Sequence, residues 1–458
     1  MTTRDVQPGA VPDDVRPSND TLPPADVPPV RPYRIHPAWV VAGVSFIALI
    51  GAAGFRSAPG VLIVPLQDEF GWSRGLLSIA VGINLVLYGL TAPFAAALMD
   101  RFGIRTVTTC ALVMVALGSG LSVFVTAGWQ LVLCWGVLIG LGTGSMALVF
   151  AATVANRWFV RRRGLVMGVL TAAGATGQLV FLPLMAWLAQ VYGWRAATLL
   201  VSAAALAVVP LVLIFLRNYP ADRGVRAYGA PPDGPVTAAP TALEASISSG
   251  SAVRRTLRTL VDAAHTRTFW ALVGGFAICG ASTNGLIGTH FVPAAHDHGM
   301  PTTTAAGLLA VVGIFDVIGT IASGALTDRI NPRILLAVYY ALRGVGLLML
   351  PSLLSDSVHP RILAFVIVYG LDWVATVPPT AALCREIFGV SGTIVFGWVF
   401  AAHQLGAAVA SVAAGFVRDL TSDYTAAWLA AAGLCAVAAL LSLGIRKVPR
   451  PGTQVGAS

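Results

Sequence analysis

Two stretches decide the fold: Ala97-Leu98-Met99-Asp100-Arg101-Phe102-Gly103-Ile104-Arg105 and Ala325-Leu326-Thr327-Asp328-Arg329-Ile330-Asn331-Pro332-Arg333. Each ends an apolar run and carries an Asp-Arg pair with a second Arg four residues further on. The spacing is identical and the two copies are offset by 228 residues. The apolar segments that open at Ala38 and Thr268 are offset by 230, so the chain reads as two repeated halves. A carboxylate in such a loop can sit at the N-terminus of a neighbouring helix or pair with an arginine. Either contact latches two helices together. Asp100, Arg101, Arg105, Asp328, Arg329 and Arg333 are therefore candidate gating residues.

Outward from these loops, apolar runs alternate with short polar breaks. Segments 1 to 6 cover residues 38–66, 76–99, 107–125, 129–154, 165–189 and 196–216. Segments 7 to 12 cover residues 268–295, 303–326, 334–354, 362–383, 393–417 and 425–445. Each is long enough to cross a bilayer as a helix. Of the 458 residues 56% are hydrophobic and only 11% charged, against about 25% charged in a soluble domain. That balance excludes a soluble enzyme, a secreted disulfide scaffold and a disordered protein. The expectation is an all-α membrane protein: twelve transmembrane helices in two six-helix pseudo-symmetric halves, 38–216 and 268–445. A disordered tail (1–37, with nine prolines), a linker (217–267) and a short tail (446–458) complete it.

The net charge of +9 comes from 28 arginines and a single lysine, scattered in short clusters between apolar runs. A nucleic-acid surface would gather them on one polar domain, so that reading is set aside. With the N-terminus in the cytoplasm, 23 of these residues fall in cytoplasmic segments. Only Arg74, Arg195, Arg361 and Arg418 fall outside. This bias predicts a multi-pass protein of the cell (inner) membrane with both termini cytoplasmic. The linker is rich in Pro, Ala, Ser and Gly up to Ser251 and reads as flexible. From Val253 to Ala264 it becomes an amphipathic surface helix, with Val253, Leu257, Leu260 and Val261 on one face and Arg254, Arg255 and Arg258 around it. The five cysteines have no metal-ligand spacing and form no disulfide framework. His296-Asp297-His298 lacks a third metal partner, and neither a metal nor a cofactor is expected.

The paired loops, twelve segments and central linker resemble the major facilitator superfamily. Its parallel halves enclose a substrate site near the membrane midplane. Trp158-Phe159-Val160-Arg161-Arg162-Arg163-Gly164-Leu165, with Gly168, is similar to a signature of the monocarboxylate transporter family. Phe70-Gly71-Trp72-Ser73-Arg74 resembles a run common in that family's bacterial members and in the related oxalate/formate exchangers. The sequence also departs from the family. Arg34-Ile35-His36-Pro37-Ala38-Trp39 stands where an acidic-Gly opening is usual, and Thr320 replaces the Arg that animal members carry four residues after Asp316.

An ionised side chain at mid-bilayer costs about 2.5–3.5 kcal/mol or more, so it marks a cavity or a partner. Arg56, Asp316, Arg343 and Asp372 lie inside segments, and their charges sum to zero. The resemblance places segment 1 on the cavity, where Pro59 loosens the backbone next to Arg56. Arg56 is then the candidate clamp for a substrate carboxylate. Asp316 or Asp372 is the candidate proton carrier, and Arg343 a charge partner between helices. Asn84, Gln178, Asn284, His290 and His403 are further polar candidates for the cavity wall, each equally able to bridge helices. The expected function is secondary transport of a small organic anion, a monocarboxylate, coupled to a proton or a counter-anion, by a monomer in the lipid bilayer. An anion exchanger without proton coupling and a drug/proton antiporter are the alternatives. No His-Glu-x-x-His, Gly-x-Ser-x-Gly or Walker motif points to an enzyme.

Overall fold

The computed structural model describes residues 35–146, 148–231 and 242–445. Eleven stretches among them are helical, long and apolar enough to cross a membrane. The first six are α1 (Pro37–Phe70), α2 (Arg74–Phe102), α3 (Ile104–Phe124), α4 (Gly128–Trp158), α5 (Arg163–Tyr192) and α6 (Trp194–Phe215). A linker helix, α7 (Ala242–Ala264), follows. Then come α8 (Arg267–Asp297), α9 (Thr302–Thr327) and α10 (Pro332–Ser352). The next apolar stretch, Pro360–Thr421, has 62 residues. As one helix it would be about 93 Å long, three times the hydrocarbon thickness. It reverses instead at Gly389, whose φ of +54° favours glycine. The reversal yields α11 (residues 360–388) and α12 (Gly392–Thr421), which pack against each other. With α13 (Thr425–Gly444), the described residues make twelve crossings, as the sequence predicts.

The two halves repeat one packing scheme. In the first, α1 packs on α5, α2 on α4, and α3 on α6; in the second, α8 packs on α12, α9 on α11, and α10 on α13. The halves meet where α2 runs along α12, α5 along α9, and α1 along α8. Gly136, Gly140 and Gly144 of α4 bring that helix onto the backbone and side chains of α2. Such small-residue faces let helices approach without any chemistry of their own.

The linker differs from its sequence reading. Residues 217–231 are tied down: the Val160 and Arg161 N–H groups donate to the Tyr228 carbonyl at 2.9 and 3.1 Å, and Tyr228 N–H donates to Trp158 at 2.8 Å. The ring of Tyr228 packs beside Trp39 and Phe159. The linker helix starts at Ala242, eleven residues before the apolar periodicity that predicted it. Residues 1–34 and 446–458 of the expected tails lie outside the described residues.

Candidate functional site

A cavity opens between the halves. With its open mouth included, the space between the walls is about 730 Å³. Its lining combines Phe55, Pro59, Leu85 and Trp373 with the polar Asn84, Thr143, Gln178, Asn284, Thr289 and Gln404. Among the described residues, no charged side chain lines it. Asn84 is partly spent, since its Nδ2 donates to the Trp135 carbonyl at 2.7 Å. The side-chain amides of Gln178 and Asn284 make no hydrogen bond among the described residues. Gln404 Oε1 is buried without a donor. These groups can take up the donors and acceptors of a polar ligand. Asn284 sits in a π-helical stretch, Ala281–Ile287, that interrupts α8.

Arg56 lies in a 3₁₀ turn, Gly54–Ser57, that breaks α1 just ahead of Pro59. Its side chain lies outside the described part of the structure. Its sequence neighbours Phe55 and Pro59 both line the cavity. His403 does not line the cavity. Its ring lies against Phe276 and Phe400, with centroids 4.9 and 5.9 Å away, and Gln404 occupies the wall instead.

The other intramembrane charges gather around a break in α11. Trp373–Thr376 leave the helical path between Asp372 and Val377, ahead of Pro378 and Pro379. Arg343 of α10, 1% exposed, serves the backbone carbonyls at this break. Its Nη2 donates to the Asp372 and Trp373 carbonyls at 2.7 and 3.3 Å, and its Nε to Asp372 Oδ2 at 2.6 Å. Nη1 reaches Cys279 Sγ and Ser282 Oγ of α8 at 3.0 and 3.3 Å. On α9, Asp316 Oδ1 accepts the freed Val374 N–H and the Thr320 hydroxyl, each at 3.1 Å. Arg343 and Asp372 thus form an ion pair, and Asp316 has none among the described residues. Neither aspartate lines the central cavity. Arg343 and Asp372 line a separate recess between α10 and α11. Trp373, next in sequence to Asp372, reaches the central wall.

The two repeated loops diverge. Asp100 pairs with Arg157, tying α2 to α4. Gly103 (φ +84°, ψ 149°) closes α2 in a conformation essentially reserved for glycine, against the side chain of Asn218. Asn218 accepts the Arg105 N–H at 3.0 Å, and the Arg101 guanidinium lies 5.3 Å from the Phe102 ring. In the second copy Asp328 and Arg329 are exposed, without an ion pair among the described residues. Arg333 donates to the Ile445 carbonyl at the end of α13. Asn331 replaces Gly103 in the register and takes an extended φ of −61° as an N-cap. The 228-residue offset also carries Arg157 onto Arg385, which is exposed.

At the opposite end sits a cluster that sequence reasoning missed. Arg74, counted there as a loop charge, is the first residue of α2 and is 4% exposed. Its Nη1 and Nη2 donate to both carboxylate oxygens of Asp297 at 2.6 and 2.7 Å. Nε donates to Gln67 at 2.9 Å, and Nη1 also reaches the Tyr424 hydroxyl at 3.0 Å. Arg418 Nε adds a contact to Asp297 at 2.8 Å. Asp419 accepts the Arg74 and Gly75 N–H groups at 2.9 and 2.7 Å, placing a negative charge at the N-terminus of α2. His290 Nε2–H donates to the Ser411 carbonyl at 2.8 Å, which leaves Nδ1 to accept from Tyr424 at 3.1 Å. Residues of α1 and α2 are thereby joined to α8, α12 and the start of α13, across the two halves. Two signals were available, the Phe70–Arg74 run and the His296-Asp297-His298 triplet.

A two-half helical bundle around a polar cavity, tied shut at one end by ions, is the architecture of a membrane carrier. A model of the Major Facilitator Superfamily matches residues 44–396, and the chain belongs to that superfamily, whose members are transporters of small molecules. It is 26% identical over 418 residues to an uncharacterized MFS-type transporter, YcxA, of Bacillus subtilis (strain 168), covering 90% of this chain and 95% of that one. It is 28% identical to monocarboxylate transporter 13 of Bos taurus, covering 87% and 88% of the two chains. Monocarboxylate transporter 11 of Homo sapiens is also 28% identical, covering 90% and 84%. Among solved structures, a bacterial homologue of the human lysosomal transporter Spinster, in an inward-facing and unoccupied conformation, shares the fold. Its TM-score is 0.67 at 13% identity, covering 91% of this chain and all of that one.

Proposed function

We propose that this transporter moves a small organic anion, a monocarboxylate, across the cell membrane by alternating access. The observation that carries the reading is the cavity itself. Neutral amides and apolar walls line it among the described residues, and Arg56 stands one position after Phe55 and three before Pro59, both on the wall. A guanidinium there holds a carboxylate through two parallel hydrogen bonds, while Gln178, Asn284 and Gln404 read the rest of the molecule. The names of the monocarboxylate transporter relatives support the same substrate class. Both termini, the Asp100 loop and the linker face the cytoplasm in this reading, as the arginine bias argues, and the Arg74–Asp297 cluster faces outside. The carrier works as a monomer in which Asp100 and Asp328 contribute to gating. Asp316 carries the coupled proton, with Asp372 as the second candidate.

A second reading, anion exchange without proton coupling, is favoured by one observation: Asp316 and Asp372 both lie off the central cavity. Counterflow of a panel of monocarboxylates into proteoliposomes, with the internal pH followed by a trapped dye, tests both. Arg56→Gln should abolish counterflow, and Arg56→Lys should weaken binding because it loses the fork geometry. Wild type should take up protons with substrate, and Asp316→Asn should lose that uptake while retaining exchange. Uptake that survives in Asp316→Asn points to Asp372; none in wild type leaves exchange. Counterflow unaffected by Arg56→Gln overturns the proposed binding residue.

A further inference from the structure

The linker helix α7 presents two unlike faces. Thr259 and Ala263 are buried against the protein, and the Thr256 carbonyl accepts the Trp398 indole N–H at 3.1 Å. This inner face packs on α2, α8 and α12, so it touches both halves. The outer face exposes Leu257 and Val261 at 45% and 57%, beside the exposed Arg254, Arg255 and Arg258. None of the three arginines has an ion pair among the described residues. A helix with leucine and valine in line with unpaired arginines suits neither bulk water nor a protein core.

The chain places that face at a membrane surface. Only His265 and Thr266 separate α7 from α8, which spans the membrane from Arg267. Three residues further on, Trp270 is 58% exposed and its indole N–H donates to the Ala264 carbonyl at 2.8 Å. An indole held there marks the level of the lipid headgroups. From these placements we infer that the outer face of α7 is a binding site for anionic phospholipid. Arg254, Arg255 and Arg258 take the headgroup phosphates, and Leu257 and Val261 enter the upper acyl layer. The bound lipid rests on the element that bridges α2 and α12, one helix from each half.

The test uses the full chain with Cys110→Ser, which removes the exposed cysteine, and Leu257→Cys carrying a polarity-sensitive fluorophore. The protein is placed in nanodiscs of phosphatidylcholine containing increasing phosphatidylglycerol and a trace of lipid spin-labelled high on the acyl chain. Emission should shift to the blue, and quenching should rise with the phosphatidylglycerol fraction. High salt should weaken the response. Arg258→Gln should move the midpoint about fivefold, the triple Gln variant should abolish the response, and the triple Lys variant should keep it. A second probe at Val261→Cys should report the same profile. Equal quenching with and without phosphatidylglycerol overturns the inference, as does a triple Gln variant that responds like wild type. A probe that stays in water until an acidic peptide is added overturns it in favour of a protein partner.

Discussion

Replacing Asp297 by Asn removes the anion that Arg74 and Arg418 share. The Arg74 side chain is 5% exposed in the cluster, Asp297 18% and Arg418 22%. Breaking a buried ion pair by removing one partner costs about 3–5 kcal/mol. Asparagine retains one acceptor oxygen and the cluster is partly wet, so about 2–3 kcal/mol is the appropriate discount. This cost falls only on the state in which the cluster is assembled. The ratio of closed to open molecules at that end should therefore change about 30- to 150-fold. Thr289 lines the cavity and is 3% exposed, so Thr289→Cys in a Cys110→Ser background reports on opening. A membrane-impermeant maleimide applied from the side bearing the cluster should label it slowly in the parent and about 30- to 150-fold faster with Asp297→Asn. An unchanged labelling rate in a folded, monodisperse variant would refute the reasoning. So would a loss of thermal stability with no gain in labelling, because the cluster would then be only a structural brace.

Arg343→Ala leaves Asp372 and two carbonyls of the broken α11 without a donor, and should lower stability by about 3–5 kcal/mol, read as a fall in melting temperature in detergent; Asp372→Asn should cost less, since the arginine keeps its carbonyl contacts. In a double-mutant cycle on melting temperature, Asp100→Asn and Arg157→Gln should couple by about 0.5–1 kcal/mol, because Asp100 is 38% exposed. Asp328→Asn and Arg385→Gln, which make no ion pair with each other, should be additive to within about 0.3–0.5 kcal/mol. Gly103→Ala should destabilise by about 1–3 kcal/mol through its backbone conformation and the Asn218 side chain, whereas Asn331→Ala should lose only a cap of about 1 kcal/mol; chemical unfolding of both variants checks the ranking.

Composition and run length determined that this protein spans a membrane and how many times, and the repeated Asp-Arg loops determined that it does so in two halves. Those properties are local: about 20 apolar residues must cross a bilayer as a helix wherever they sit in the chain. Segments 362–383 and 393–417 were legible as two crossings, since a short polar break divides them, although the helical stretch in the structure runs on through 62 residues. Arg343 was legible as a charge partner between helices, because unpaired charges are costly in hydrocarbon, and the structure pairs it with Asp372. Asn84, Gln178 and Asn284 were identified as polar residues able to face the cavity, and they line it. What the tertiary structure decided is which way each helix turns and what it meets. Each residue turns a helix by about 100°, and helices apolar on every side give no stripe to orient them, so Gln404 faces the cavity where His403 does not. The Arg74 cluster pairs that residue with Asp297, 223 positions away, and no periodicity or spacing encodes such a contact. It exists because α2 and α8 from different halves end at the same level of the bundle, where two charges that look like loop residues in the sequence are enclosed together.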